Sequence, residues 1–87
     1  MDTRFKTQLE IAELLDKNYR SVRAIYCYYE NESVTITLNT PKKALYPFIA
    51  KRILDKFSEV RWVYFTGGFQ TYVYSRETLK YGGYYGK

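Results

Sequence analysis

The chain is 87 residues long, enough for one domain with one modest core, and its 46% apolar content is that of a globular protein and excludes a disordered one. Its net charge of +5 is unevenly placed: residues 1–40 hold five Lys or Arg against six acids, a net −1, and residues 41–87 hold nine against three, a net +6. With no histidine and one cysteine, Cys27, the composition excludes an internal disulfide, Ser-His and Cys-His catalysis, and nearly every zinc site.

The first predicted element is an amphipathic helix over Arg4 to Lys17. Phe5, Leu9, Ala12 and Leu15 recur at helical spacing as its buried stripe, widened by Ile11 and Leu14, with Glu10, Glu13 and Lys17 on the other side. Thr7 and Glu10 have capping-box spacing, so the regular part starts at Thr7 on this reading, and Asn18 suits a left-handed cap. The stretch YRSVRAIYCYY, residues 19–29, then has two readings: a strand pairing with VTITL, or a second helix. Its Val, Ile, Cys and Tyr content favours a strand. A short turn through Glu30 to Ser33 would set Ile25, Cys27 and Tyr29 beside Val34, Ile36 and Leu38, with Tyr26 and Tyr28 sharing the outer face with Thr35 and Thr37.

Thr40 followed by Pro41 is a helix-start signal, and Pro47 predicts either a kink or a separate turn before a helix that begins at Pro47. Ile49, Ala50, Ile53, Leu54 and Phe57 form that helix's buried stripe, with Lys51, Arg52, Asp55 and Lys56 facing water. VRWVYFTGGFQTYVYSR reads as a hairpin about Gly67-Gly68. A two-residue turn pairs Val63 with Tyr72 and Arg61 with Tyr74. The charge-free face of Val60, Trp62, Tyr64, Phe69, Thr71 and Val73 is the expected core, and the face of Arg61, Val63, Phe65, Gln70, Tyr72, Tyr74 and Arg76 the expected contact surface.

These elements predict an α+β fold, a two-layer α/β sandwich in the order α-β-β-α-β-β, with a four-stranded, mainly antiparallel sheet and two helices on one face. Residues 1–77 form its single domain, and the glycine- and tyrosine-rich residues 78–87 a mobile tail. With no apolar run long enough to span a bilayer and no signal-peptide stretch in MDTRFKTQ, an intracellular location and no membrane contact are expected.

No phosphate-binding loop or catalytic constellation is present, so the reading is of a non-enzymatic module with no cofactor and no metal. Tyrosine supplies 11 residues, more than a small core absorbs, and a surplus of rings on a sheet face predicts a contact surface. The first functional expectation is nucleic-acid binding: Tyr26, Tyr28, Tyr72 and Tyr74 stack bases, while Arg61, Arg76, Lys51, Arg52 and Lys80 neutralise phosphates. The alternative is a protein-binding inhibitor or adaptor, of the sort a virus or mobile element encodes, using the same tyrosines and arginines on an acidic protein surface or on a second copy of itself. QLEIAELLDKNYRSVRAI, residues 8–25, also resembles a helix-turn-helix motif, through Ala12 at the helix crossing, Leu15 before the turn, and Val22 and Ile25 facing the core. That resemblance implies a duplex-DNA binder with Arg20 and Arg23 in the groove.

Overall fold

A computed structural model describes residues 3–19, 24–39, 43–67 and 70–80. Helix α1 (Thr3–Asn18) leads into strands β1 (Ala24–Glu30) and β2 (Ser33–Leu38). A single 3-10 turn (Lys43–Leu45) precedes helix α2 (Tyr46–Lys56). Strands β3 (Trp62–Thr66) and β4 (Tyr72–Tyr74) follow, and a short helix α3 (Arg76–Lys80) closes the described chain. The strands form one sheet in the order β1-β2-β3-β4. The β1–β2 and β3–β4 pairs are antiparallel and the central β2–β3 pair is parallel, as the crossover through α2 requires. This is the predicted α+β class with its element order, extended by α3. Residues 78–80 thus complete a helix and do not belong to the tail, with Leu79 packed on the core; residues 81–87 lie outside the described residues.

Residues 24–30 form a strand, which overturns the helix-turn-helix over residues 8–25: its second helix would have to continue through Ala24 and Ile25. Arg20 and Arg23, the residues assigned to that motif, lie outside the described residues. Between β1 and β2, Asn31 (φ 54°) and Glu32 (φ 65°) both take the left-handed conformation, the pattern of a two-residue type I′ hairpin turn. An even-numbered turn fixes which side chains share a face. Cys27 and Tyr29 therefore stand beside Ile36 and Val34 on one side, and Tyr26 and Tyr28 beside Thr37 and Thr35 on the other. The pairing slips by one residue between Ala24 and Tyr26, so Ile25 sits in a bulge.

One face of the sheet packs on the helices through a single core of Val34, Ile36 and Leu38 from β2, Val63 and Phe65 from β3, and Ile11, Leu15, Ile49, Ile53 and Leu54 from α1 and α2. The α2 stripe is as predicted. Pro47 lies in its first turn, where the missing N–H costs no intrahelical bond; the expected start at Thr40 and Pro41 lies outside the described residues. Helix α1 is rotated from the predicted stripe. It begins at Thr3, so Thr7 is no cap but a buried residue whose hydroxyl donates to the Glu59 carboxylate at 3.0 Å. Thr7, Ile11, Leu14 and Leu15 face inward, leaving Phe5 (61%) and Leu9 (50%) exposed. The helix has apolar residues on two sides, and the sheet takes the side on which Ile11 and Leu15 are one turn apart. Gln8 covers part of the free β1 edge by accepting the Tyr29 amide at 3.1 Å.

The β3–β4 hairpin corrects the sequence reading in two ways. Val63 pairs with Tyr74, Tyr64 with Val73 and Phe65 with Tyr72, a register two residues away from that of a turn at Gly67-Gly68 alone. A shift of two keeps every side chain on its face, but within the strands the faces are reversed: Val63, Phe65, Tyr72 and Tyr74 are buried and Trp62 is exposed, while Val60, ahead of β3, is buried as expected. The reason lies at the strand ends. Arg61 and Arg76, which gave the odd-even face its charge, fall just outside β3 and β4, where strand alternation no longer applies. Without them the inner face is entirely uncharged. Tyr46 of α2 stacks on Phe65 (4.2 Å between ring centroids, 6° between planes) and meets Tyr72 edge-on at 5.4 Å, while Phe65 meets Tyr74 edge-on at 5.7 Å. Part of the tyrosine surplus is thus an aromatic core.

Candidate interaction surface

The sheet face turned away from the helices carries Tyr26, Tyr28 and Glu30 from β1, Ser33, Thr35 and Thr37 from β2, Trp62, Tyr64 and Thr66 from β3, and Val73 from β4. Strand pairing sets them in rows: Glu30, Ser33 and Trp62; Tyr28, Thr35, Tyr64 and Val73; Tyr26, Thr37 and Thr66. Tyr26, Tyr28 and Trp62 are 50%, 42% and 41% exposed, and Tyr64 and Val73 are half-buried. The rings of Tyr26 and Tyr28 stand nearly parallel, 26° apart with centroids 6.4 Å apart, which is about the spacing of alternate residues along a strand. The Tyr28 hydroxyl donates to the Glu30 carboxylate at 2.6 Å, and the hydroxyls of Thr37 and Thr66 bond each other at 2.6 Å. Two aromatic ridges, on β1 and β3, thus flank a trough floored by the short hydroxyl side chains of β2.

Two of the four predicted stacking residues, Tyr26 and Tyr28, lie on this face. Tyr72 and Tyr74 do not; they point into the core, and Trp62 and Tyr64 hold the outward positions on β3. The signal for Trp62 and Tyr64 was present in strand alternation and was masked by Arg61.

Among the described residues, the predicted cations Lys51, Arg52, Arg61 and Arg76 have partners other than these rings. Lys51 pairs with Asp55 at 2.8 Å on α2, in the helical layer. Arg52, also on α2, donates from Nε to the Tyr19 hydroxyl at 3.2 Å and lies 5.8 Å from that ring's centroid. Arg61 approaches the Glu32 carboxylate at 3.5 Å. Arg76 donates to three backbone carbonyls, those of Leu54 (2.6 Å), Val60 (2.8 Å) and Phe57 (3.1 Å), so its guanidinium holds the end of α2. Lys80 is the last residue of α3. Among the described residues Glu30 is the only charged strand residue on the open face.

No protein-family model, curated protein or solved structure matches the chain.

Burial pushes the Cys27 thiol up to about 11, leaving no thiolate at neutral pH. Tyr29 is raised by burial and by the carboxylates of Glu59 and Glu32; Tyr46 is raised by burial and by Tyr72, with Lys43 opposing. Among the described residues no cluster of three His, Cys, Asp or Glu could hold a metal ion, and no helix is long and apolar enough to cross a membrane.

Proposed function

We propose that the chain is a non-catalytic interaction module that binds a partner protein through its open sheet face. The observation that carries this reading is the composition of the face: four accessible or half-accessible rings with Ser, Thr and Val between them, and no Lys or Arg on its strands, in a chain of net charge +5. Depletion of charge with enrichment of Tyr and Trp is the composition of a protein-interface core. Stacking bases would also bring phosphates, which need cations beside the rings, and Lys51, Arg52 and Arg76 are engaged elsewhere.

A photo-crosslinking amino acid in place of Thr35 tests the reading in extracts of the native cells. A covalent adduct that survives nuclease and disappears with protease is expected, with none from the same probe at Lys51. An adduct destroyed by nuclease and carrying labelled nucleotide would overturn it and restore nucleic-acid binding.

A further inference from the structure

The trough along β2 selects among protein partners by width and hydrogen-bonding polarity. Neighbouring strands are about 4.8 Å apart, so the ridges on β1 and β3 stand about 9.6 Å apart across β2. Tyr28 and Tyr64 face each other directly over Thr35, with Trp62 one row further on, over Ser33. A partner helix, about 10–12 Å across with its side chains, is too wide to reach the floor. A row of flat rings midway between the ridges lies about 4.8 Å from each, inside the 4.5–7 Å range of ring contacts.

The polar groups sharpen the choice. Among the described residues no hydrogen bond engages the Trp62 indole N–H or the hydroxyls of Tyr26, Tyr64 and Thr35. The indole can only donate, and each hydroxyl can donate one hydrogen bond as well as accept. A polyproline II segment brings unpaired carbonyls and apolar pyrrolidine rings, lacks N–H at each proline, repeats every three residues at about 3.1 Å per residue, and is ordered before it binds. Charge points the same way: a neutral occupant suits a face with no cation, whereas a polyanion is drawn to the basic helical layer. These 87 residues hold 2 prolines, one of them inside α2, so no proline-rich run lies among them.

We infer that the β2 trough binds a proline-rich segment of a partner protein in the polyproline II conformation, walled by Tyr26 and Tyr28 on one side and Trp62 and Tyr64 on the other. This rests on reading the open face as a protein interface. Trp62 is the only tryptophan of the chain, so its emission reports the trough directly.

The experiment titrates the protein with a blocked ten-residue prolyl peptide, a blocked Gly-Ser peptide of equal length, and a single-stranded oligothymidylate. The expected result is a saturable blue shift with the prolyl peptide alone, insensitive to salt. Affinity should fall at least tenfold in Tyr64→Ala and in Thr35→Lys, both checked for unchanged thermal unfolding, and stay unchanged in Lys51→Ala. No saturation by the prolyl peptide at millimolar concentration overturns the inference. If Thr35→Lys then still abolishes the protein crosslink seen from a probe at Tyr28, the interface reading stands with a different occupant. A shift with protein concentration alone makes the occupant a second copy and also overturns it. Saturation by the oligothymidylate alone, weakening steeply with salt, overturns both.

Discussion

Replacing Arg76 separates a structural cation from a ligand-binding one. Its guanidinium donates to the carbonyls of Leu54, Phe57 and Val60, at 2.6, 3.1 and 2.8 Å. Leu54 is among the last four residues of α2, whose carbonyls have no partner within the helix, and the positive charge sits at the negative end of the helix dipole. A hydrogen bond from a charged donor contributes about 1.5–3 kcal/mol. Three such bonds on one partly exposed group do not add in full, because water replaces some of the donors once the side chain is gone. Arg76→Ala should therefore cost about 2–3 kcal/mol. At about 4–8 °C per kcal/mol for a domain of this size, Tm should fall by on the order of 10–20 °C. Arg76→Lys keeps the charge but not the fork, and should recover less than half of the loss. Urea unfolding at constant m-value is the assay. An Arg76→Ala protein within about 0.5 kcal/mol of the parent, the range of an ordinary surface substitution, would refute the capping role and return Arg76 to the pool of ligand-binding cations.

Three further predictions bear on the same structure. Tyr74→Ala should destabilise by about 3–5 kcal/mol, because Tyr74 is fully buried, whereas Trp62→Ala should cost less than about 1 kcal/mol; urea unfolding of the pair checks that the inner and outer faces are assigned correctly. Glu32→Gly should raise stability by about 0.5 kcal/mol, since glycine takes the positive φ of 65° without strain and the exposed Arg61 pair that is lost contributes little; a lower midpoint would contradict the turn assignment. The Cys27 thiol is raised from 9.0 to about 11, so the neutral form is favoured on folding: this stabilisation is complete below pH 9 and is lost as pH rises through 11. Unfolding free energy measured across that window should fall less steeply in Cys27→Ala, and an unchanged slope would show that the thiol is not buried in solution.

The fold class was legible because it rests on local signals: alternation in VTITL, the α2 stripe, and a turn of even length between β1 and β2, which alone set Tyr26 and Tyr28 on the outer face. The other half of the surface was not, and the physical reason is specific. Choosing the core face of β3 and β4 by absence of charge assumes that the charged residues lie within the strands. Arg61 and Arg76 lie one and two residues outside them, where the chain has left the pleat and each side chain takes its own direction. The guanidinium bonds of Arg76 also show that a cation next to a tyrosine-rich strand can complete a helix end, a long-range requirement no local pattern carries. In α1 the ambiguity was of another kind, since apolar residues on two sides offer two stripes, and only the sheet decides between them.

What brings the two aromatic ridges into register is the strained turn. Glu32, held at φ 65°, presents its carbonyl to two amides, those of Arg61 at 2.7 Å and Trp62 at 3.2 Å. That acceptor fixes where β3 begins relative to β2, setting Trp62 beside Ser33 and Tyr64 beside Thr35. The same turn fixes β1 on the other side, with Glu30 beside Ser33 and Tyr28 beside Thr35. A single two-residue turn thus aligns three strands at one end of the sheet, and the pairing of Tyr28 with Tyr64 across the trough follows from it. Because strand side chains alternate, a slip of one residue in β3 would move Trp62 and Tyr64 to the helical side and expose Val63 and Phe65 in their place. The geometry of the proposed binding surface therefore depends on a residue that is not on it. The parallel β2–β3 register, not the tyrosine count, is what makes the open face a trough instead of a scatter of rings.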